Sequence, residues 1–434
     1  MGFFSGQNYI EVDKQKKLTN SKPLLEYIPQ LVAIPLKNLA FEGFTIHVEV
    51  GDYVKIGTKL ATGDDHIKLP LFSSVSGTVT AIEKRDHISL KKANHIIIEN
   101  DFKDEKELLF QPSEDILSFT AEEIKEHMRS AGVLGLSGSG VPTFTKFRNT
   151  KNVTSILING IEDEPFITAD EYNMSTYPQL LVNGALALLK AADAQECVIA
   201  ISESNKISYD ALADALKANS DAGPIRIVQM PDTYPMGFER TLIKRIWEKT
   251  FKMLPIEVGI ISTNVSTVIE FAKTLTCGLP LYERVITISG DGFTSRQNIK
   301  VRIGTLLADI VAELGGYAEG VPKNARLVHG GPLRGNAVIT DNLSVTPITN
   351  GFVCLANAEY KELPCSRCSA CINHCPEGLQ PIQIVRAFKL KNKDALKLLG
   401  AGKCIECGVC SYVCPSLIDV TDGAKKAKAF ALQK

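Results

Sequence analysis

The sequence predicts a multidomain α/β protein that also carries small β domains. Its 434 residues are too many for one hydrophobic core and predict two to four domains. Hydrophobic residues make up 44% of the chain, enough to fill several cores. Short β-rich runs alternate with helical stretches through its middle, and eight of its 11 cysteines lie between Cys365 and Cys414.

Charge and hydropathy argue against two classes of function. The chain has 48 basic and 49 acidic residues, so its formal charge of −1 gives no electrostatic basis for binding nucleic acid. It has no apolar run of 18 residues, so we expect no membrane-spanning helix. The first residues also lack the apolar stretch and cleavage site of a signal peptide. Clustered thiols without a secretion signal predict a reducing, cytoplasmic setting and a metal site rather than disulfides.

The motif C-x2-C-x2-C-x3-C-P occurs twice near the end of the chain. Structural zinc sites usually pair two separated C-x2-C units, so zinc is the weaker alternative. The run matches that of bacterial two-cluster ferredoxins, in which three thiolates hold one [4Fe–4S] cluster and the fourth cysteine reaches the other cluster. The prediction is one cluster held by Cys365, Cys368, Cys371 and Cys414, and another held by Cys404, Cys407, Cys410 and Cys375.

The 28 residues that separate the two runs indicate a helical module. Apolar residues recur at helical spacing at Ile382, Val385 and Phe388, and again at Ala395 and Leu399. Short compact ferredoxins lack such an insert. We therefore predict an α-helical ferredoxin-like domain over residues 355–425, in which two neighbouring clusters transfer electrons.

Residues 30–100 alternate between apolar and polar side chains, with turns at Gly51-Asp52 and Gly57. This pattern is similar to a barrel-sandwich hybrid, the fold of lipoyl and biotinyl domains. A carrier domain of that fold presents a modified lysine, but Lys68 lacks the methionines that flank a biotinyl lysine. We therefore interpret the domain as a docking or structural module.

Residues 118–278 alternate between helices and strands, which predicts an α/β domain with a mostly parallel sheet. The stretch GVLGLSGSGVPTFTKF, residues 132–147, is rich in glycine and serine, so its backbone N–H groups can approach a phosphate. It also contains Lys146, whose positive charge is expected in a phosphate-binding loop. A plain turn is the alternative.

Glu162, Asp163 and Glu164 follow a strand and are expected at its carboxyl end, where ligands bind in such sheets. A solvated acidic loop is the alternative there.

Residues 283–345 change pattern again. Two strands, a turn and a helix are followed by another strand and a glycine-rich turn. This order predicts a small β-grasp domain.

The order of these four modules resembles the C subunit of the Rnf complex, the membrane-bound ferredoxin:NAD⁺ oxidoreductase of bacteria. The resemblance covers about residues 30–420. The α/β and β-grasp (SLBB-like) domains also resemble the FMN- and NADH-binding subunit of respiratory complex I. The family's loop G-L-G-G-A-G-F-P-T appears as Gly135 to Thr143, and its N-G-A-E-C-E-P appears as Asn159 to Pro165. The elements Y-P-x-G-x-E and the asparagine after the next strand are also present, at Tyr234 to Glu239 and at Asn264.

The resemblance implies a flavin and iron–sulfur subunit that moves electrons between NAD(H) and partner redox proteins, which are ferredoxin-type carriers or Rnf membrane subunits. It implies a location in the cytoplasm or at the cytoplasmic face of the membrane, held there by partners. It implies that FMN and the nicotinamide nucleotide are surrounded by Gly135, Gly138, Gly140, Lys146, Asn159, Glu162, Glu164, Tyr234, Gly237, Glu239 and Asn264. Within that set, the glycines and Lys146 face phosphate, Asn159, Glu162 and Asn264 hold the flavin, and Glu164 binds the NADH ribose. It assigns no catalytic side chain.

Four positions depart from the family's pattern. Ser137 and Ser139 stand where the family has Gly and Ala, Val141 replaces an aromatic residue, and Asp163 replaces a cysteine. These departures favour two alternatives. One is a soluble Rnf-C-like protein that serves a reductase such as proline reductase, with an altered or lost NADH site. The other is a scaffold that docks the cluster module without binding a flavin.

Overall fold

A computed structural model describes residues 9–20, 22–37, 43–138, 140–322, 324–356 and 361–433. Ser139, one of the departures in the glycine-rich loop, lies outside these residues. None of the helices in the described ranges is both long and apolar enough to cross a bilayer.

The N-terminal unit is a sandwich of two antiparallel sheets. The first eight strands are β1 (Leu25–Tyr27), β2 (Leu31–Pro35), β3 (Phe44–Ile46), β4 (Tyr53–Val54), β5 (Lys59–Gly63), β6 (Pro70–Phe72), β7 (Gly77–Asp86) and β8 (Lys92–Asn100). One sheet has the order β2-β8-β7-β4 and the other β3-β5-β6, while β1 joins a sheet described below. Val32 of β2, Ile96 and Ile98 of β8, and Leu60 of β5 are fully buried in one core, so the alternating pattern does form a two-layer β unit.

The second unit is a parallel α/β layer. Its elements are α1 (Ala121–Ser130), β9 (Ser155–Gly160), α2 (Ala169–Thr176), α3 (Pro178–Ala192), β10 (Glu196–Ser202), α4 (Lys206–Ala218), β11 (Ile225–Met230), α5 (Glu239–Trp247), β12 (Ile260–Asn264) and α6 (Val265–Cys277). The strand order is β11-β10-β9-β12 and every pairing is parallel. The strands β9 and β10 are almost wholly buried, as expected of continuous apolar runs covered on both faces.

The third unit is a mixed six-stranded sheet. It contains β13 (Glu283–Ser289), β14 (Gln297–Arg302), α7 (Leu307–Glu313), β15 (Arg326–His329), β16 (Asn336–Val338) and β17 (Gly351–Leu355). The order β1-β14-β13-β17-β15-β16 recruits β1 and β17, which lie outside the range 283–345 that the sequence predicts for this unit. Ile286 and Ile299 share one hydrophobic core with Val32 and Ile96, so the sheet is packed directly on the sandwich.

The C-terminal unit is helical. It consists of α8 (Ala370–Asn373), α9 (Pro381–Lys389), α10 (Lys393–Leu398), α11 (Val409–Tyr412) and α12 (Val420–Leu432). Ile384 of α9, Leu396 of α10 and Ala427 of α12 form its small core. Helices α9 and α10 occupy the segment that separates the two cysteine runs, where the sequence predicts helical periodicity.

Candidate functional site

The carboxyl edge of the parallel sheet gathers most of the polar residues that the sequence singles out. β9 and β12 are neighbours, and Asn159 is paired in register with Asn264. The Asn264 side chain accepts a hydrogen bond from Ser266 N and so caps α6, while its Nδ2 donates to the Asp170 carboxylate over 2.7 Å. Because Asp170 lies in the first turn of α2, the N-termini of two helices converge at the ends of these strands.

The glycine-rich loop lies over the start of α6. The two ends of the loop are joined by a hydrogen bond from Gly135 N to the carbonyl of Val141. The loop is held to α6 by Leu136 N, which donates to Thr267 Oγ1 in the first turn of that helix. Gly138 and Gly140 have φ of 92° and 62°, a left-handed conformation that favours glycine. A side chain placed on Gly138 would meet no atom within 4 Å, so the exposed tip of this loop has room for a ligand. An exposed tip beside a helix N-terminus fits a phosphate group.

Lys146 lies in a short 3-10 helix, Thr143–Phe147, that follows this loop, and its side chain reaches the sheet. Its Nζ donates to the carbonyl of Ser262 in β12 over 2.8 Å. Burial lowers the pKa of Lys146, and the carboxylate of Glu239 partly opposes that shift. Lys146 and Glu239 therefore bring opposite charges to the same edge of the sheet.

Glu162 is buried and fixes the start of α2. Its two carboxylate oxygens accept from the backbone N–H groups of Asp170 and Glu171 at 3.0 and 3.1 Å. The Nζ of Lys16 lies 3.6 Å from the same carboxylate and also donates to the carbonyls of Glu162 and Ile167. Burial raises the pKa of Glu162 to about 7, against the opposing effect of Lys16.

Asp163 and Glu164 are occupied by protein partners. Glu164 Oε1 accepts from Arg334 Nε over 2.8 Å, and Glu164 Oε2 accepts from Leu333 N over 3.1 Å. Asp163 accepts from Gly237 N over 2.7 Å, and its second carboxylate oxygen lies 3.3 Å from Arg334. Burial raises the pKa of Glu164, and Arg334 opposes this. The carboxylate that replaces the family's cysteine thus joins the α/β unit to the loop between β15 and β16.

Tyr234 and Gly237 lie between the α/β unit and the cysteine-rich unit. Gly237 O accepts a hydrogen bond from Asn159 Nδ2 over 2.8 Å. Tyr234 is fully buried, and its hydroxyl donates to the backbone carbonyl of Cys407. Burial raises the pKa of this hydroxyl above its ordinary value, so it stays a donor at neutral pH.

The eight clustered cysteines line two separate cavities. One cavity of about 130 Å³ is lined by Cys365, Cys368, Cys371 and Cys414. Another of about 20 Å³ is lined by Cys375, Cys404, Cys407 and Cys410. We call these the outer and the inner cavity. No three His, Cys, Asp or Glu side chains within the described ranges gather closely enough to hold a single metal ion. Four thiols around each of two cavities are instead a donor set that fits a cubane cluster.

The inner cavity faces the rest of the protein. Cys375 and Cys407 are buried, whereas Cys368 at the outer cavity is exposed. Gly408 has φ of 83°, and a side chain there would meet the carbonyl of Leu333. A close backbone contact, which only glycine permits, therefore joins the cysteine run to the same loop that carries Arg334.

Sequence reasoning missed three charged residues of this site. Lys16 comes from an N-terminal segment to which no domain was assigned, and Arg334 lies in a turn interpreted only through its glycines. Arg284 of β13 is buried and donates to the carbonyl of Leu136 in the glycine-rich loop over 3.0 Å. A lone arginine in a strand gives no sequence signal for such a contact, because its partner is 148 residues away.

Comparisons with known proteins agree with this architecture. The family model described as RnfC barrel sandwich hybrid domain matches residues 5–103, the Nuo51 FMN-binding domain matches residues 128–273, and the 4Fe-4S dicluster domain matches residues 364–419. The NAD⁺-reducing [NiFe]-hydrogenase in its air-oxidized state has a similar fold, with a TM-score of 0.52 at 15% identity over 74% of this chain and 65% of that chain.

Relatives match over most of the chain. The C subunit of the Na⁺-translocating ferredoxin:NAD⁺ oxidoreductase complex of Acetobacterium woodii is 30% identical, over 82% of this chain and 81% of its own length. The C subunit of the proton-translocating complex of Clostridium ljungdahlii is also 30% identical, over 86% of this chain and 82% of its own. The chain therefore belongs to the family of C subunits of ion-translocating ferredoxin:NAD⁺ oxidoreductase complexes, the Rnf complexes.

Proposed function

We propose that this protein is the electron-transfer C subunit of an Rnf-type complex. It moves electrons between NAD(H) and partner redox proteins through FMN and two [4Fe–4S] clusters. The observation that carries this proposal is the sorting of eight cysteines into two cavities of four in a chain that also matches an FMN-binding domain. Bound FMN would supply the conversion between two-electron hydride transfer with the nicotinamide and single-electron transfer with the clusters.

The carboxyl edge of the parallel sheet supports an FMN site. Gly135, Gly138 and Gly140 would hold the phosphate at the exposed loop tip, near the N-terminus of α6. Asn159 and Asn264, side by side on neighbouring strands, would face the flavin. Glu162 acts through α2, since its carboxylate fixes the first turn of that helix.

Lys146 and the Y-P-x-G-x-E element complete the proposed nucleotide site. Lys146 and Glu239 carry opposite charges at the sheet edge, and Gly237 anchors Asn159. Tyr234 lies behind them and contacts a cluster ligand. Binding of the NADH ribose by Glu164 requires that Arg334 and Leu333 release its carboxylate.

We assign the outer cavity to the cluster held by Cys365, Cys368, Cys371 and Cys414, and the inner cavity to the cluster held by Cys375, Cys404, Cys407 and Cys410. Because the inner cavity adjoins Tyr234 and Leu333, its cluster is the one nearer to the nucleotide domain. The outer cluster is then the one that partners reach.

We also assign the mixed sheet to the β-grasp (SLBB-like) fold, with the predicted domain of residues 283–345 as its main part and β17 added from beyond that range. An antiparallel hairpin of β13 and β14 followed by helix α7 supports this assignment. The parallel pairing of β13 with β17 at Thr287–Ser289 is the central pair that a β-grasp sheet requires. The other predicted ranges, 30–100, 118–278 and 355–425, stay our proposals for the remaining domains.

Membership of the family supports a peripheral position on the cytoplasmic face of the membrane, held by partner subunits. The relatives named above are subunits of ion-translocating complexes, so the reductase-associated alternative is not favoured. No observation favours the scaffold alternative.

Cysteine substitutions test the assignment of ligands. Cys410→Ala should abolish the inner cluster and leave about four irons per chain out of about eight. Cys414→Ala, four residues away, should abolish the outer cluster instead. Iron analysis and EPR spectra of the two variants after anaerobic reconstitution should therefore show two different remaining clusters. The same remaining spectrum in both variants would contradict the assignment.

A further inference from the structure

The two cysteine-lined cavities differ in the charges around them. Among the residues that the structure describes, the outer cavity is lined by Arg367 and Arg386 and by no acidic side chain. The inner cavity is lined by Glu377 and Glu406 and by no basic residue, although Lys428 pairs with Glu406 over 2.8 Å. The outer cavity is therefore the positively charged one.

The two arginines of the outer cavity face solvent, and no carboxylate in the described ranges pairs with them. Both are exposed, and neither forms a salt bridge or donates a side-chain hydrogen bond within the part of the chain that the structure describes. Elsewhere in the protein, arginines that are less exposed, such as Arg284 and Arg334, are held by several partners. Arg367 and Arg386 thus leave their charge available to a partner.

The surrounding unit adds to this positive field. Residues 361–433 contain eleven lysines and arginines and six aspartates and glutamates, in a chain whose overall charge is −1. The C-terminal unit is therefore basic while the rest of the protein is acidic. Such a separation steers oppositely charged proteins toward one end of a molecule.

Apolar side chains lie beside the arginines. Leu363 and Leu417 are 51% and 45% exposed. They belong to the same face, because Leu363 N donates to the carbonyl of Ser416, which lines the outer cavity. We call the surface formed by Leu363, Arg367, Cys368, Arg386 and Leu417 the outer face. A charged surface of limited size suits a small, transient redox interface, in which complementary charge raises the association rate.

We propose that the outer face is the docking site for an acidic electron-carrier protein. The inference rests on the proposed function, because it takes the outer cavity to be a cluster site. An electron carrier has to approach a cluster, and Cys368 is an exposed thiol at that cavity. Anionic lipid head groups would pair with the arginines equally well. A lipid exchanges no electrons with a cluster held by the nearby thiols, so the observations favour a protein.

Replacement of the arginines tests the docking site. The probe is a small acidic ferredoxin with two [4Fe–4S] clusters, and its association rate is measured by surface plasmon resonance under nitrogen at several salt concentrations. The double variant Arg367→Gln/Arg386→Gln should associate about tenfold more slowly at low salt and lose most of its salt dependence. Arg367→Lys/Arg386→Lys should keep most of the wild-type rate.

The matched control is Lys391→Gln/Lys397→Gln. It removes the same charge from exposed residues of the same unit that do not line the outer cavity. Its association rate should change less than twofold. Equal slowing in both double variants would mean that net charge alone matters, and unchanged binding in the arginine variant would also overturn the proposal.

Two further measurements distinguish protein docking from lipid binding and from a failure of cluster assembly. If the arginine variant loses binding to vesicles of anionic phospholipid while its binding to ferredoxin is unchanged, the face binds lipid and the proposal is wrong. Iron content and EPR spectra are recorded first for every variant. If the wild-type chain binds no iron, the proposed function itself fails. If both clusters form and the arginines have no effect on ferredoxin binding, only the docking site fails.

Discussion

At the scale of single residues, the acidic run Glu162 to Glu164 shows how placement decides the role of a charge. The family resemblance implies that Glu162 holds the flavin and that Glu164 binds the NADH ribose, whereas Asp163 departs from the family's pattern. In the structure each of them also holds another element: Glu162 fixes α2, Asp163 holds Gly237, and Glu164 binds Arg334. Buried carboxylates need such partners, since an unpaired buried charge costs several kcal/mol.

Arg334 should be the residue on which these contacts depend most. Arg334→Met leaves Asp163 and Glu164 buried with less compensation, so we expect the free energy of unfolding to fall by about 3–5 kcal/mol. Arg129→Met is the control, because Arg129 pairs with Glu126 on the exposed surface and should cost at most about 1 kcal/mol. Chemical denaturation followed by fluorescence compares the two. An equal loss of stability in the two variants would show that the Arg334 pairs stabilise the protein no more than an exposed ion pair does.

Tyr234 should contribute through its hydroxyl alone. Tyr234→Phe leaves the buried carbonyl of Cys407 without this donor and should destabilise the protein by about 1–3 kcal/mol. Tyr412→Phe removes a hydroxyl from a side chain that is 55% exposed and should change stability by less than about 0.5 kcal/mol. Thermal unfolding measures both. A Tyr234→Phe variant as stable as the wild type would exclude the hydrogen bond as a stabilising contact.

Glu162 predicts a dependence of stability on pH. Its pKa is raised from 4.5 to about 7 by burial, so the folded state binds a proton that the unfolded state has released over this range. The effect of Glu162 is therefore to lower stability as pH rises from about 4.5 to about 7, by about 3 kcal/mol. In Glu162→Gln this part of the pH dependence should disappear. If the free energy of unfolding of Glu162→Gln depends on pH as that of the wild type does, Glu162 is not the source of this pH dependence.

At the scale of elements, the sequence predicts the elements themselves better than the contacts between them. The family, the sandwich, the FMN-binding domain and the dicluster domain are confirmed by the family models. Local periodicity and turn residues encode these units. In contrast, β1 joins the sheet of β13 and β14 across some 270 residues, and no local pattern signals such a pairing.

The C-terminal unit offers a matched test of how elements dock. Gly408 and Gly378 both have positive φ, at 83° and 64°, but only a side chain at Gly408 would meet the backbone of Leu333. Gly378→Ala should cost about 1–2 kcal/mol from backbone strain. Gly408→Ala should cost more, because the cysteine run must also move away from the loop that carries Arg334. Limited proteolysis at several temperatures should release the C-terminal unit first in Gly408→Ala. Similar behaviour of both variants would mean that this contact does not hold the unit.

At the scale of the whole molecule, the α/β unit, the mixed sheet, the C-terminal unit and the N-terminal segment that carries Lys16 meet along one line of contacts. The glycine-rich loop touches Arg284 of the mixed sheet, the acidic run touches Arg334 and Lys16, and Tyr234 touches Cys407. These contacts bring the proposed nucleotide site next to the inner cavity and leave the outer cavity exposed. The cysteine spacing alone predicts which four thiols share a cluster, but it gives no information about which cluster faces inward, because that depends on the packing between units.

Anaerobic reconstitution with iron, sulfide and FMN, followed by spectra before and after addition of NADH, tests directly whether one chain joins a nucleotide site to two clusters. We expect about eight irons per chain, retained flavin, bleaching of the flavin by NADH, and EPR signals of reduced clusters. Clusters without flavin, or a bound flavin that NADH does not reduce, would contradict that claim.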